Sequence, residues 1–344
     1  MRPCYLVLAA GMALAWSLVD WRKTNYAHLR EWLRVYVRFY LASMMISYGA
    51  VKVIKSQFPD PSLDRLIEPF GDASPMGLLW TFMGASVSYN VFAGAGEILG
   101  GLLLTTRRTT TFGALIGIGV LGNVAMLNFS YDVPVKLFSL HLLAMAAFLL
   151  IPDLRRLAKF LVFNRPVNPT DLRPLFPWRW VDWTAAVLRT TIVVAFTGLM
   201  FANAYRSQGI FGDRAPKSPL RGVWNVDEFQ IDGKTRPPLL TDADRWRRVV
   251  FDYPSMVSIQ LMSNSRVRHA LFLDPDQRTL ALMNREHPSW NTKLRYELPE
   301  PDHLVIQGNY GGHPMRADLR RTSDSDFLLV NRGFHWINEY PFNR

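Results

Sequence analysis

The chain has 344 residues, a formal net charge of +11, 49% hydrophobic and only 19% charged residues. Its one cysteine, Cys4, excludes an internal disulfide, a CxxC dithiol and cysteine-built zinc or iron–sulfur sites, so a redox role needs a quinone, a cofactor or a partner. The positive charge does not read as nucleic-acid binding: acidic and basic residues nearly balance in 219–344, and no basic stripe with interleaved aromatics occurs.

Composition divides the chain. Residues up to about 204 hold long apolar runs, and residues from about 219 onward are polar with regularly placed charges. The expectation is an α-helical polytopic membrane protein followed by an all-β domain. Six apolar segments stand out, at 4–18, 35–54, 89–105, 110–129, 135–151 and 180–204. The first is short against the roughly twenty residues a span needs. It reads as a short helix or as a signal-peptide core, although only Arg2 precedes it and no clean small-x-small cleavage site follows.

Lysines and arginines assign the sides. Arg22, Lys23, Arg30 and Arg34 follow the first segment, Arg107 and Arg108 separate the third and fourth, and Arg155, Arg156, Lys159, Arg165, Arg173 and Arg179 separate the fifth and sixth. These loops read as cytoplasmic; the opposite loops hold only Lys55 and Arg65. The N-terminus and residues 205–344 then lie outside, which in a bacterium means beyond the cytoplasmic membrane. In the outer stretch 55–88, Pro59-Asp60-Pro61 turns the chain, Ser62 to Phe70 predicts a short helix, and Met76 to Met83 is too short to cross. That last piece reads as lying in the interface or covering the mouth of the bundle, with Trp80 suited to interfacial depth. Gly96/Gly100 and Gly113/Gly117 form two GxxxG spacings, which predict close helix packing.

Several apolar segments carry polar side chains. Glu97 sits in the middle of Val91–Thr105, where an acid is costly unless paired, protonated or facing a wet cavity. Tyr48 and Lys52 are one helical turn apart; Asn123, Asn128, Lys136 and His141 lie on the next two segments. With the orientation above, these residues predict a polar pocket in the outer half of the bundle. Bland readings stand beside it. Lys52 and Lys136 can snorkel to headgroups, Asp132 before Pro134 fits a helix N-cap, Asn123 can bond a neighbouring helix, and His141 can be a satisfied interior histidine. Glu97 has two readings: an internal pair with Lys52 or Lys136 needed for assembly, or proton exchange with a quinone headgroup alongside Lys52 and His141.

Arg38, the pattern Gly49-x2-Lys52 and the run Gly96-Glu97-x2-Gly100-Gly101-Leu102-Leu103-Leu104 resemble the DoxX family of small four-helix membrane proteins, over roughly residues 35–160. The resemblance implies a four-helix core of the kind found as a membrane subunit of oxidoreductases; DoxD belongs to a thiosulfate:quinone oxidoreductase, and other members are linked to periplasmic redox maturation. This chain adds an N-terminal segment, a sixth apolar segment and a large outer domain.

Pro216 and Pro219 mark a linker. Eight short strands are predicted, at Gly222–Ile231, Trp246–Asp252, Met256–Leu261, Val267–Leu273, Leu280–Met283, Leu304–Gly308, Ala317–Arg320 and Phe327–Val330, punctuated by Asp232-Gly233, Asp274-Pro275-Asp276 and Gly311-Gly312. They predict a small antiparallel barrel or sandwich. Gly222-x-Trp224 resembles the start of a lipocalin-type barrel, in which an arginine near the last strand packs on the tryptophan; Arg332 is the candidate. In the tail, His335 and Glu339 are a candidate acid/base pair, against a closing segment that caps the barrel or seats it. His269, His287, His303 and His313 lack metal-ligand spacing, and no P-loop, dinucleotide fingerprint or GxSxG elbow occurs.

Three functions follow as expectations. The first is a membrane subunit of a quinone-linked redox system, with a periplasmic redox partner. The second is a non-enzymatic anchor whose outer domain binds a lipid, an apolar ligand or an envelope protein. The third is a transporter, although no inverted repeat is evident.

Overall fold

The computed structural model describes residues 2–20, 26–169, 178–284, 291–323 and 326–343. Arg22, Lys23, Arg173 and His287, invoked above, lie outside the described residues. The chain opens with α1 (Arg2–Val19) and α2 (Ala27–Val53). Short α3 (Leu63–Leu66) and α4 (Pro75–Ala85) follow, each started by a serine: Ser62 Oγ accepts from the Arg65 amide at 3.4 Å and Ser74 Oγ from the Gly77 amide at 3.1 Å, with Pro75 in the first turn of α4. Next come α5 (Val87–Leu104), α6 (Thr110–Ser130) and α7 (Lys136–Leu150). The last runs on through a 3-10 turn and α8 (Leu154–Leu157) to a π turn at Ala158–Val162; α9 (Arg179–Phe211) is the longest helix.

Each predicted apolar segment is thus helical. Four helical stretches are long and apolar enough to cross a membrane: Val87–Leu104, Thr110–Ser130, Lys136–Val162 and Arg179–Ile210. The apolar part of α1 is shorter, Val7–Val19. α2 is long, but Arg30, Glu31, Arg34, Arg38 and Lys52 dilute it.

Two compact units divide the chain. One comprises 1–46, 97–125 and 136–193. Its core is Leu41, Met45, Leu104, Ala114, Leu121, Leu142, Ala146 and Leu149, at helical spacing on α2, α5, α6 and α7. Glycine sets the approach of α5 to α6: a Cβ at Gly113 would lie 2.9 Å from the Leu104 nitrogen and 3.0 Å from the Gly100 carbonyl oxygen. Gly117 has only ordinary contacts, from 3.6 Å, so of the second GxxxG only Gly113 demands glycine.

The other unit comprises 47–96, 126–135 and 194–344. Its β part is a closed antiparallel barrel. β1 (Gly222–Ile231) is followed by a two-residue β2 (Lys234–Thr235), then β3 (Trp246–Phe251), β4 (Met256–Leu261), β5 (Arg266–Asp274), β6 (Thr279–Asn284), β7 (Asn291–Glu300), β8 (His303–Tyr310) and β9 (His313–Thr322). From β3 onward each strand pairs with the next, β1 pairs with β3, and β9 closes on β1. Eight strands and β2 as a hairpin appendage make an up-and-down barrel, which removes sheet edges. The turns follow their chemistry: Asp232-Gly233 (φ +53° and +73°) and Gly311-Gly312 (φ +64° and +93°) make two-residue hairpins, and Asp274 Oδ1 accepts from the Asp276 and Gln277 amides.

Alternating residues fill the barrel, among them Trp224, Phe229, Trp246, Val249, Ile259, Leu271, Leu282, Leu294, Leu304 and Ala317. A bulge between Val226 and Glu228 rephases β1, so Val226 and Phe229 both face inward. An eight-stranded barrel is just wide enough for side chains to fill, and here they do. Where β3 starts and β4 ends, the guanidinium of Arg245, 2% exposed, donates to the carbonyls of Arg236 and Trp246 at 2.9 and 3.0 Å, and to those of Val226 and Asp227 at 3.4 Å.

Two strand expectations fail. Asn291–Glu300 is a strand missing from the expectations, although Leu294, Tyr296 and Leu298 alternate with Lys293, Arg295 and Glu297 at the strand period; Leu294 and Tyr296 are buried and Leu298 is exposed. Phe327–Val330 is no strand; α10 (Leu328–Asn331) occupies it. A four-residue apolar run cannot by itself distinguish strand from helix.

Candidate functional site

The predicted intramembrane set is only partly buried. Glu97 (2% exposed), Lys52 (7%) and Asn128 (7%) are buried. Lys52 Nζ stands 5.8 Å from the Tyr48 ring centroid, and Tyr48 is 39% exposed. His141 is not interior: the inward stripe of α7 is Ser139, Leu142, Ala146 and Leu149, and His141 falls off it, exposed, with Nδ1 2.5 Å from the Leu137 carbonyl oxygen one turn back. Asn123 is exposed for the same reason of helix phase, beside buried Leu121 and Ala125. Lys136 is half-buried. Asp132 is exposed at φ +52°, in the turn before α7, which begins only at Lys136; it is a turn residue and not its N-cap. Asn90, which the sequence reading passed over, is fully buried and donates to the Met83 and Ser86 carbonyls.

The barrel expectations shift as well. Trp224 is buried, with Nε1 donating to the Leu220 carbonyl at 2.9 Å. Arg332 does not lie on it: it stands past the last strand, over Phe342 at 3.7 Å, and donates to Asn338 Oδ1 at 3.3 Å. Arg321, the register partner of Trp224 on β9, lies over Gly222, where a Cβ would come 2.8 Å from its Nε. The tail does not cap the barrel. Phe334, Trp336, Ile337 and Tyr340 are 70–86% exposed, and His335 and Glu339 are exposed too, which leaves no desolvated pair for acid–base work.

A site lies in the second unit, where the connector 54–86 meets the barrel. α3 is latched to the barrel wall. Leu63 packs on Val223 and Val250, and its amide donates to Asp252 Oδ2 at 2.8 Å. Asp64 accepts from Ser258 Oγ at 3.0 Å and from Arg268 Nη2 and Nε at 2.7 and 3.2 Å, while Arg266 Nη1 donates to its carbonyl at 3.0 Å. Glu68 reaches Arg266 at 3.5 Å. Burial opposes charge on Asp64, but the Arg268 and Ser258 hydrogen bonds and the two guanidinium charges outweigh it and hold the carboxyl below its ordinary 3.8. Asp252 goes the other way: burial raises its carboxyl, against the Leu63 amide and Arg221.

Behind the latch, Lys55 is buried at φ +60°, paired with Asp60 and, at 3.3 Å, with Asp213, whose Oδ1 also accepts from the Asp60 amide at 2.6 Å. This ties the end of α2 to the end of α9. Phe58, Leu79, Met83 and Val133 form a small core under α4, with Trp80 edge-on to Phe58 at 5.1 Å. Gly84 is required there, since a Cβ would meet the Pro59 carbonyl oxygen at 2.2 Å.

These elements line a half-open cavity of about 310 Å³. Pro59 to Ser62 and Arg65 form one side; Ser74, Met76, Gly77, Trp80 and Thr81 form another; Tyr253, from the β3–β4 loop, forms the third. Arg65 pairs with Glu68, and its guanidinium lies over Gly77. Partial burial, with Asp252 and Asp213 nearby, raises the Tyr253 hydroxyl above its ordinary 10.0, although the side chain is 42% exposed; like any tyrosine below that value it is a donor at neutral pH. Ser62 and Ser74 already serve as helix caps, and Thr81 Oγ1 donates to the Gly77 carbonyl at 2.9 Å. Such a lining can hold and orient a small molecule; it has no base set against a nucleophile. Among the described residues no group of three His, Cys, Asp or Glu side chains is placed to hold a metal ion. Sequence reading missed Arg65 and Tyr253 because their meeting depends on a contact far along the chain.

Fold and site define a class: a protein with four helices long and apolar enough to cross a membrane, which carries a filled eight-stranded barrel latched to a helical connector. No protein-family model matches the chain, and no solved structure matches it. It is 33% identical over 121 residues to the uncharacterized protein YwoB of Bacillus subtilis (strain 168), a match covering 35% of this chain and 75% of that protein. The chain belongs to the family of YwoB.

Proposed function

We propose that the chain is an integral membrane protein in which a DoxX-like helical core carries an extracytoplasmic head, connector plus barrel, that binds a small ligand without transforming it. The cavity of about 310 Å³ carries this reading, because its walls come from three separate chain segments pinned by the Asp64 latch and the Lys55 network. The filled barrel supports it too, since side chains occupy the space where a lipocalin-type ligand would sit. The head lies outside by the distribution of Lys and Arg between the apolar segments. Native mass spectrometry of gently purified full-length protein is the test. A small molecule retained by the wild type and lost from Trp80→Leu and Tyr253→Phe is the expected result; a ligand retained equally by both variants sinks the reading.

One observation favours a second reading, a DoxX-type membrane subunit linked to the quinone pool through a redox partner. Glu97 is 2% exposed within an apolar helix, and such a carboxylate is costly enough to mark function. There it would hand protons to a quinone as a partner supplies electrons. Quinone bound by the purified protein should fall in Glu97→Gln, and equal binding by wild type and variant would remove this carboxylate from consideration.

A further inference from the structure

We propose that the connector cavity takes a neutral polyhydroxylated ring, a sugar unit, with its apolar face on Trp80 and its hydroxyls on Arg65, Asp60 and Tyr253. The inference rests on the ligand-binding reading of the head and names the ligand class.

Three observations carry it. The first is charge balance. Both ionic groups of the lining already have a partner, Arg65 in Glu68, which Arg266 shares, and Asp60 in Lys55, which Asp213 shares. A carboxylate or phosphate would have to share Arg65 with Glu68 against like-charge repulsion, and an ammonium would have to share Asp60 with Lys55 in the same way. A hydroxyl meets no such repulsion: a paired guanidinium keeps N–H groups to donate, and a paired carboxylate keeps lone pairs to accept. The second is the kind of polar group. The lining sets a planar donor and a planar acceptor beside the hydroxyls of Ser62, Ser74 and Tyr253, each of which both donates and accepts, as a sugar hydroxyl does. Tyr253 keeps its proton at neutral pH. The third is size and shape. Ligand pockets range over about 300–1,000 Å³, so 310 Å³ is at the small end, enough to seat one ring. Beside Pro59, Pro61 and Met76 the apolar lining includes a flat aromatic, Trp80, held by its edge contact with Phe58, and the C–H face of a pyranose lies on such a surface.

The full-length protein in nanodiscs, without any sugar-headed detergent, is titrated with glucose, galactose, N-acetylglucosamine and maltose. Dihexanoyl phosphatidylglycerol and a short-chain quinone serve as comparison probes, and binding is read by saturation-transfer NMR. Three variants accompany the wild type. Tyr253→Phe removes one hydroxyl, and Trp80→Leu removes the platform. Gly77→Ala puts a methyl 2.6 Å from Arg65 Nη2 and pushes the guanidinium aside; only the far end of that flexible side chain has to move, so the fold is kept. Unchanged hydrogen-exchange protection of the Leu63 amide confirms folding in each.

The expected result is binding of at least one sugar, weakened about fivefold or more in Trp80→Leu and in Tyr253→Phe and Gly77→Ala. A sugar bound with equal affinity by wild type and all three folded variants overturns the proposal. If only the lipid or the quinone binds, and Trp80→Leu abolishes that binding, the sugar assignment fails while the cavity stands as a ligand site. If no probe binds, both fail.

Discussion

Replacing Asp64 by asparagine should loosen the connector from the barrel. The carboxylate is 13% exposed, and the substitution removes its charge from Arg266, 12% exposed, and Arg268, 56% exposed, while leaving an oxygen to accept from Ser258. Breaking a fully buried pair costs about 3–5 kcal/mol, and an exposed pair contributes about 0–1 kcal/mol. One partner of each kind places the loss at about 2 kcal/mol for local docking, or roughly a 30-fold rise in the open population. Hydrogen exchange of the amides from Leu63 to Glu68 in full-length protein reads this directly, because the Leu63 amide is held by Asp252 only while α3 is docked. Barrel amides in β6 and β7 serve as the internal reference. Protection over 63–68 unchanged within about twofold would refute the latch. So would an equal cost for Asp64→Asn in an Arg268→Gln background, since a direct pair must show coupling.

The two latch carboxylates should respond to pH in opposite senses. Asp64 is depressed in the folded state, so its contribution is fully present above about 3.8 and lost as pH falls through its lower folded value; Asp252 is raised, so its ionisation costs stability as pH rises past 3.8 through its folded value. Exchange of 63–68 against pH should therefore keep its acid-side loss in Asp252→Asn and lose it in Asp64→Asn. Arg245→Met should cost the barrel about 3 kcal/mol, since it strands buried carbonyls that the guanidinium now satisfies; denaturant unfolding followed by tryptophan fluorescence checks it, and a midpoint equal to wild type would contradict it. Gly84→Ala should cost about 1–3 kcal/mol, because the clash is with backbone that cannot swing away, and should expose the connector to limited proteolysis.

How much of this could be read from sequence depends on the range of the contacts. Helix positions followed from apolar runs, and hairpin turns from Asp232-Gly233 and Gly311-Gly312, because those signals are local. The β7 strand was legible too, since Leu294, Tyr296 and Leu298 alternate with charges at the strand period, but its apolar residues are few and set one at a time, with no run to mark it. The position of Glu97 in the middle of α5 was legible, but rotation about the helix axis was not for His141 and Asn123, which point away from the core. The arginine over β1 was sought in Arg332 when the register places Arg321 there; one strand's pairing decides it, and pairing is not written in spacing. The cavity was least legible of all. Ser62 and Ser74 read as caps and Trp80 as an interfacial residue, and Tyr253 gave no sign that it would meet them.

The distance in sequence between the halves of the latch has a consequence for synthesis. Asp64 finds Arg266 and Arg268 some two hundred residues later, at separations of 202 and 204. At roughly 5–20 residues per second, the connector leaves the ribosome on the order of 10–40 s before its partners exist. The barrel cannot close earlier either, because β1 must wait for β9. Throughout that interval Leu63 has no wall to cover and Asp64 no cation to meet. Docking of α3 is therefore a late event in the birth of the protein, and a truncated chain ending before β5 would carry the cavity's residues without its shape.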